Sequence, residues 1–139
     1  NLYGDGPERK SIEKFIRKNN LNKIISLKGF VQDKKLIFKN ANLFINASLW
    51  EGLPNAIVQS INYGVFPICS DAPGGNMEVI KYGKLGKSFK TNDEKDLQKK
   101  IIQFFNKRFV LNNKIRIKHL TNYTELNSCQ QYLKTLNNI

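Results

Sequence analysis

Short apolar runs along the chain alternate with turn residues and with apolar positions at helical spacing. The runs predict strands over residues 24–27, 43–45 and 65–69, the last of them buried, and Gly83 and Gly86 lead to a further predicted strand over 87–89. The segments between them predict helices, one after the turn that ends at Pro7 and others over residues 33–40, 54–63 and 77–81. The helix over 54–63 is apolar on most sides, so we expect it to be buried, and Gly64 is a plausible stop for it.

The C-terminal part of the chain predicts helices alone. Asp93 is placed to cap a helix in which Leu97, Ile101 and Phe105 recur every four residues. Two more helices are expected after it. The last one carries apolar side chains on one face: Leu126, Cys129, Leu133 and Leu136.

Strands that alternate with helices predict an α/β fold, a three-layer αβα arrangement with a parallel sheet between the helices. Ligands of such folds bind beyond the carboxyl ends of the strands. The loops at residues 4–7, 48–53 and 71–76 are therefore expected in one region.

Size and composition indicate one globular domain, since the chain has 139 residues, a mass of 16.0 kDa and 40% apolar residues. It begins at Asn1 without a Met, so we expect a piece of a longer gene product. Cys69 lies in an apolar run and is predicted to be a small buried hydrophobe, which fits a reducing cytoplasm. His119 lies in a basic stretch and is expected on the surface.

The net charge of +12 raises the question of an anionic partner. The lysines are spread along the whole chain, and no DNA- or RNA-binding motif accompanies them. A solvated basic surface is the favoured interpretation. Attraction to an anionic membrane face or to an acidic small molecule comes second, and nucleic acid comes last.

The segment Glu51-Gly52-Leu53-Pro54-Asn55 is the strongest candidate for chemistry. Gly52 permits a tight turn or a close approach to a ligand, and Pro54 presets the first turn of a helix. Free N–H groups at a helix N-terminus suit a phosphate, which the Glu51 carboxylate would repel but beside which it could accept hydrogen bonds from sugar hydroxyls. Taken alone, the segment is equally typical of a helix-capping loop with an exposed Glu.

Two glycine-containing loops could contribute to the same site. Gly74 and Gly75 precede a short helix and could offer N–H groups to an anion or a sugar, although a flexible turn is the commoner meaning of a glycine pair. Gly4-Asp5-Gly6 is an incomplete dinucleotide-binding motif without a preceding strand, which makes it weak evidence for a nucleotide.

In order and spacing, five motifs together resemble the C-terminal half of family-4 retaining glycosyltransferases of the GT-B fold. They are Gly4-Asp5-Gly6-Pro7-Glu8, Leu27-Lys28-Gly29-Phe30, Ser48-x-x-Glu51-Gly52-Leu53-Pro54-Asn55, Gly64-x-x-Pro67 and Pro73-Gly74-Gly75-x-x-Glu78. The resemblance covers residues 1–105 closely and the last helices loosely, as the crossing helices that end such Rossmann-like domains.

The resemblance implies that the domain binds a nucleotide-sugar donor, most commonly a UDP-sugar, and transfers the sugar with retention and without a metal. Glu51 matches the first acid of the E-x7-E motif, the implied catalytic residue that contacts the donor sugar. The backbone of residues Gly52, Leu53, Pro54 and Asn55 matches the stretch that binds the diphosphate and the sugar. Phe30 and Val31 match the stretch that contacts the base.

Two departures from the family pattern affect what we expect. The second acid of E-x7-E, which holds the ribose, is Gln59 here, and a neutral acceptor in place of a charged one should weaken ribose binding by about 1 kcal/mol. The family's Arg/Lys pair for the diphosphate and its acceptor-binding domain both lie upstream of residue 1. The chain alone is therefore expected to be inactive.

The leading hypothesis is a donor-binding domain for bacterial polysaccharide, capsule, lipopolysaccharide or glycolipid synthesis, cytoplasmic or at the inner membrane face. Its partners would be the nucleotide-sugar, a glycan or lipid-linked acceptor held by the missing N-terminal domain, and the membrane periphery, with no nucleic acid. The alternatives are a catalytically degenerate binding or scaffold module, for which Gln59 argues, and a basic nucleic-acid-binding α/β domain.

Overall fold

Strands and helices alternate up to Phe89 in the computed structural model, which describes residues 1–107 and 109–137. The chain divides into two compact units, Asn1–Asn40 and Ala41–Ile139. Within the described residues, no helix is long and apolar enough to cross a membrane.

The first unit contains two parallel strands, each followed by a helix. In chain order they are β1 (Leu2–Tyr3), α1 (Arg9–Lys18), β2 (Leu27–Gly29) and α2 (Lys34–Phe38). Leu2 pairs with Leu27, and Tyr3 with Gly29. The turn at Gly4 is therefore preceded by a strand after all, which the sequence did not indicate because β1 has only two residues.

The strand predicted over 24–27 starts later, at Leu27. The amides of Ile24 and Ile25 both donate to the carbonyl of Leu21, so these apolar residues belong to a turn. In α1 the buried side chain is that of Ile16, whereas Phe15 is exposed. The apolar run over residues 24–27 therefore indicated a strand nearby but not the residues at which it begins and ends.

The second unit contains a parallel three-stranded sheet with helical connections. Its elements up to the third strand are β3 (Leu43–Asn46), α3 (Asn55–Asn62), β4 (Phe66–Ser70), α4 (Asn76–Val79) and β5 (Lys87–Phe89). The strand order is β3-β4-β5, with Ile45 beside Ile68 and Cys69 beside Ser88. β4 is buried along its whole length because it is the central strand. The predicted α/β class with parallel strands is confirmed.

Three helices and a 3-10 turn complete the described chain: α5 (Glu94–Lys107), α6 (Asn113–Leu120), the turn Thr121–Tyr123 and α7 (Glu125–Leu136). Asp93 caps α5 as predicted, since its Oδ1 accepts from the amide of Asp96 at 2.9 Å. The apolar face of α5 was misassigned by one residue. Phe104 is buried and Phe105 is exposed, because a spacing of 3.6 residues per turn brings position 104 to the face of Leu97 and Ile101.

The core of the second unit lies where α3 and α5 pack on β4. Ile57 and Ile61 of α3 are fully buried, and the Phe66 ring lies 5.4 Å from that of Phe104 and 5.5 Å from that of Phe109, centre to centre. Ala56 is exposed, so α3 buries one face only, contrary to the burial expected on most sides. Cys69 is fully buried, as predicted.

The expectation that His119 is a surface residue was wrong. Its side chain is buried, with Nε2 2.9 Å from the carbonyl oxygen of Val79 and its ring edge-to-face with Tyr123. The basic neighbour Lys118 faces solvent while His119 faces α4, so local charge was a poor guide to burial. On α7, the apolar side chains of Leu126, Leu133 and Leu136 are exposed.

Candidate functional site

Two loops contact each other at the carboxyl ends of β3 and β4. Glu51 forms an isolated parallel bridge with Gly74, and its amide donates to the carbonyl of Pro73 at 3.3 Å. The amide of Gly75 donates to the carbonyl of Gly52 at 3.0 Å. The loops predicted at 48–53 and 71–76 therefore do come together, as the topology of a parallel sheet requires.

The glycine pair is required by this contact and is more than a flexible turn. Gly74 has φ +115, and a Cβ on it would lie 1.5 Å from the carbonyl oxygen of Glu51. A Cβ on Gly75 would lie 2.6 Å from the carbonyl oxygen of Gly52 and 3.0 Å from Cδ of Pro54. Since both neighbours are backbone or ring atoms, a larger residue at either position would push the loops apart.

Glu51 presents one carboxylate oxygen to the protein. Oε1 lies 2.7 Å from the Ser48 hydroxyl oxygen and accepts from Nδ2 of Asn46 at 3.3 Å. Within residues 1–107 and 109–137, Oε2 has no hydrogen-bond partner. The half-buried carboxylate is therefore held on one side and open on the other, as an acceptor for neutral hydroxyls should be.

Three buried polar residues support this corner of the sheet, and the sequence prediction named none of them as site residues. Asn46 ends β3, Ser70 ends β4 and Asn76 begins α4, with 8%, 1% and 0% exposure respectively. Asn76 Oδ1 is buried without a hydrogen-bond partner in the described chain. A polar residue that closes an otherwise apolar strand was the signal available in the sequence.

The N-terminus of α3 directs only some of its amides towards the loop. Asn55 donates its amide to the carbonyl of Leu53 at 2.8 Å, so this N–H is already occupied. Pro54 has no amide hydrogen. Among the described residues, the amides of Gly52, Leu53 and Ala56 donate to no protein acceptor, which leaves them available to an anion.

Gln59 lies on α3, about one turn beyond the N-terminus of the helix. It is half-buried, and its side-chain amide has no hydrogen-bond partner in the part of the chain that the structure describes. Trp50 lies within the loop of residues 48–53 and is 71% exposed.

The remaining predicted site residues belong to the first unit. Gly4 follows β1 with φ +122, and its amide donates to the carbonyl of Gly29 at 2.8 Å. Phe30 follows β2 and is 74% exposed, with the Lys34 ammonium 5.6 Å from its ring centre. Val31 is half-buried.

Asp71 ties the loop after β4 to the loop after β5. Its Oδ1 accepts from the Thr91 hydroxyl at 2.7 Å and from the Thr91 amide at 2.8 Å, and these bonds lower the pKa of Asp71. Burial, with the nearby Asp71 charge, raises the pKa of the Cys69 thiol to about 12. Asp71 therefore stabilises the contact between the two loops, and Cys69 is an uncharged core residue. Within the described residues, no cluster of three or more His, Cys, Asp or Glu could hold a metal ion.

Curated relatives match most of this chain in sequence, although the match covers only a small part of each relative. It is 37% identical to protein CapJ of Staphylococcus aureus over 103 residues, which are 72% of this chain and 25% of CapJ. It is 31% identical to the UDP-N-acetylglucosamine–peptide N-acetylglucosaminyltransferase GtfA subunit of Streptococcus parasanguinis over 85 residues, 61% of this chain and 17% of that subunit. The chain thus spans a quarter or less of these relatives.

Solved structures share the fold. The pneumococcal O-GlcNAc transferase GtfA in complex with UDP and GlcNAc superposes with a TM-score of 0.79 at 22% identity, over 98% of this chain and 28% of that one. TarM superposes with a TM-score of 0.79 at 24% identity, over 98% and 27%. These neighbours confirm the Rossmann-like fold of a GT-B half. Residues 2–123 match the model of the family described as glycosyl transferases group 1, so the chain belongs to that family.

Proposed function

We propose that residues 1–139 form the donor-binding domain of a glycosyltransferase that uses a UDP-sugar to build a bacterial surface glycan. The contact between the Glu51 loop and Gly74–Gly75 carries the proposal. It sets an open carboxylate oxygen in the same loop as the unpaired amides of Gly52 and Leu53. Sugar hydroxyls suit the first and a diphosphate suits the second.

The names of relatives favour UDP and N-acetylglucosamine among donors. The GtfA subunit is named for transfer from UDP-N-acetylglucosamine. A relative from Staphylococcus aureus strain COL, 24% identical over 105 residues, is named poly(ribitol-phosphate) alpha-N-acetylglucosaminyltransferase. Anabaena HepE, a fold neighbour with a TM-score of 0.74 and 21% identity, was solved in complex with UDP. UDP-N-acetylglucosamine is therefore the first donor to test.

In the proposed mechanism, Glu51 accepts hydrogen bonds from the donor sugar and orients its anomeric carbon. The amides of Gly52, Leu53 and Ala56, at the positive end of α3, stabilise the diphosphate as negative charge develops on it when the glycosidic bond breaks. Gln59 meets the ribose. For the first unit the resemblance implies that Phe30 and Val31 contact the base and that Gly4 is a donor-binding residue. Transfer with retention and without a metal also follows from the resemblance.

The rest of the catalytic apparatus is assigned to the longer protein. The acceptor site and the Arg/Lys pair that neutralises the diphosphate are expected upstream of Asn1. With a lipid-linked acceptor, the longer protein would contact the membrane peripherally, on its cytoplasmic side. The isolated chain should bind the donor weakly and transfer nothing.

The experiment is an NMR titration of the 15N-labelled chain with UDP-N-acetylglucosamine, UDP-glucose, GDP-mannose and ADP-glucose. We expect amide shifts at residues 51–56 and 74–76, greatest with a UDP-sugar. The Glu51→Gln variant should lose affinity for the sugar nucleotide, whereas Glu94→Gln, at the exposed start of α5, should match the wild type. A titration that leaves these loops unperturbed with all four donors would rule the proposal out.

A scaffold module is the second candidate, and Gln59 is the observation that favours it. An enzyme that needs a charged acceptor at the ribose would be impaired by Gln59, whereas a binding module would not. Turnover by the longer protein separates the two. Binding without any transfer, unchanged in Gln59→Glu, would favour the scaffold.

A further inference from the structure

A continuous path of hydrogen bonds leads from the buried start of α4 to the Glu51 carboxylate. Asn76 Nδ2 donates to the carbonyl of Ser70 at 3.0 Å and lies 3.4 Å from its hydroxyl oxygen. The Ser70 hydroxyl donates to the carbonyl of Ser48 at 2.5 Å. The path thus crosses from α4 through the end of β4 to the loop after β3.

Ser48 is the junction of this path. Its amide donates to Oδ1 of Asn46 at 3.0 Å, and its hydroxyl oxygen lies 2.6 Å from the same atom and 2.7 Å from Oε1 of Glu51. The hydroxyl has one proton for these two acceptors, and a carboxylate is the stronger one. Ser48 is therefore fixed on both its backbone and its side chain while it faces Glu51.

Asn46 holds the same carboxylate oxygen from the strand. Its Nδ2 donates to Oε1 of Glu51 at 3.3 Å, and its buried position at the end of β3 leaves it little freedom. Two donors on Oε1 and none on Oε2 select one orientation of a side chain that is otherwise flexible. An acceptor fixed before binding loses less conformational freedom when the ligand arrives.

We propose that Ser48 and Asn46 are positioning residues for Glu51, held in place by Ser70 and Asn76. None of the four needs to touch the donor. They keep Oε1 occupied and so fix the direction in which Oε2 meets the sugar. This inference rests on the proposed function for its consequence, but the fixed orientation of Glu51 is a property of the unliganded chain.

The test compares Ser48→Ala, Ser48→Thr and Ser60→Ala with the wild type. Thr keeps the hydroxyl and should restore the wild-type behaviour. Ser60 is the control, since its hydroxyl likewise donates to a backbone or side-chain acceptor, here the carbonyl of Ile57 at 2.8 Å, and among the described residues it makes no hydrogen bond with Glu51. If Ser48→Ala fails to fold, Ser70→Ala is the second variant, because it removes the hydroxyl that donates to the Ser48 carbonyl, and thermal unfolding checks each protein.

The first readout is the side-chain conformation of Glu51 in the free chain, from three-bond NMR couplings. We expect one rotamer in the wild type, Ser48→Thr and Ser60→Ala, and averaging in Ser48→Ala. The second readout is the dissociation constant of UDP-N-acetylglucosamine against that of UDP. Ser48→Ala should raise the first about fivefold to tenfold, because the freed Glu51 side chain must then be ordered when the sugar binds, and leave the second unchanged.

The two readouts separate the inference from the proposed function. A single Glu51 rotamer in Ser48→Ala, or equal weakening of UDP and UDP-N-acetylglucosamine, would overturn the positioning role. If the wild type binds neither nucleotide, the proposed function with this donor fails, and the couplings alone still decide whether Ser48 positions Glu51.

Discussion

The carbonyl oxygen of Glu51 occupies the space that a Cβ on Gly74 would need, because the two would lie 1.5 Å apart. Gly74→Ala should therefore be strongly destabilising. An alanine at φ +115 costs about 1–2 kcal/mol of backbone strain, and displacing the Glu51 backbone adds about 1–3 kcal/mol. Urea denaturation measures the change in the free energy of unfolding.

Gly83 provides the control for Gly74. It has φ +94, and a Cβ on it would meet no atom within 4 Å, so Gly83→Ala should cost the backbone strain alone. The difference between the two variants isolates the contact between the loops. If both substitutions cost the same, the loops adapt freely, and the close approach does not define the site.

Gln59→Glu should tighten the binding of UDP. The side-chain amide of Gln59 has no hydrogen-bond partner in the described chain, so a carboxylate there remains available to ribose hydroxyls. Replacing a neutral acceptor with a charged one is worth about 1 kcal/mol, or roughly a fivefold lower dissociation constant. Isothermal titration calorimetry compares the proteins. Equal or tighter binding by the wild type would contradict the role of Gln59 at the ribose.

Arg116 stabilises the C-terminal end of α3. Its Nη1 lies 3.5 Å from the carbonyl oxygen of Ile61, just before Gly64 ends the helix with φ +78. A cation at this end of a helix is favourable, so Arg116→Ala should lower the free energy of unfolding by about 1 kcal/mol. Lys118 lies on α6 like Arg116 but is exposed, so Lys118→Ala should change the free energy of unfolding little. Chemical denaturation in low salt tests both, and matching losses would refute the contact.

Many helices and strands of the fold could be predicted from short local sequence patterns. Apolar runs, turn glycines and capping residues predicted β3, β5, the start of α5 at Asp93 and the helix after Pro54, because each depends on residues that are neighbours in sequence. Phe105 was misplaced because a repeat of four residues drifts off a helical face, and His119 because burial depends on what packs from elsewhere. The carbonyl that binds His119 belongs to Val79, 40 residues away in the chain.

The sequence predicted the loops of the site but not the buried polar residues that hold them in place. Glu51 and the glycine pair stand out because a loop between a strand and a helix exposes them, whatever else surrounds them. Asn76 gave no such signal, and Ser70 gave only the weak one of a polar residue that closes an apolar strand. Their role arises only when β4 lies beside β3 and the Ser70 hydroxyl reaches a carbonyl 22 residues earlier.

Asp71 should make part of the stability of the fold dependent on pH. Its hydrogen bonds from Thr91 lower its pKa in the folded chain, so the charged form is favoured by folding. This contribution is complete above the unfolded value of about 3.9 and is lost as the pH falls through the lower folded value. Asp71→Asn should flatten the decline in stability below about pH 4, and Thr91→Val should reduce it partially. Identical acid unfolding of all three proteins would exclude the linkage.

The two cysteines should differ sharply in reactivity. Cys69 is buried in β4, and burial raises its pKa to about 12, so almost no thiolate forms near neutral pH. Cys129 is exposed on α7. At pH 8, Ellman's reagent should label Cys129 quickly in the folded chain and Cys69 only in denaturant. Cys129→Ser should abolish the fast phase. A fast phase that survives in Cys129→Ser would mean that β4 opens readily and that the strand carrying Ser70 is not the rigid support proposed for Glu51.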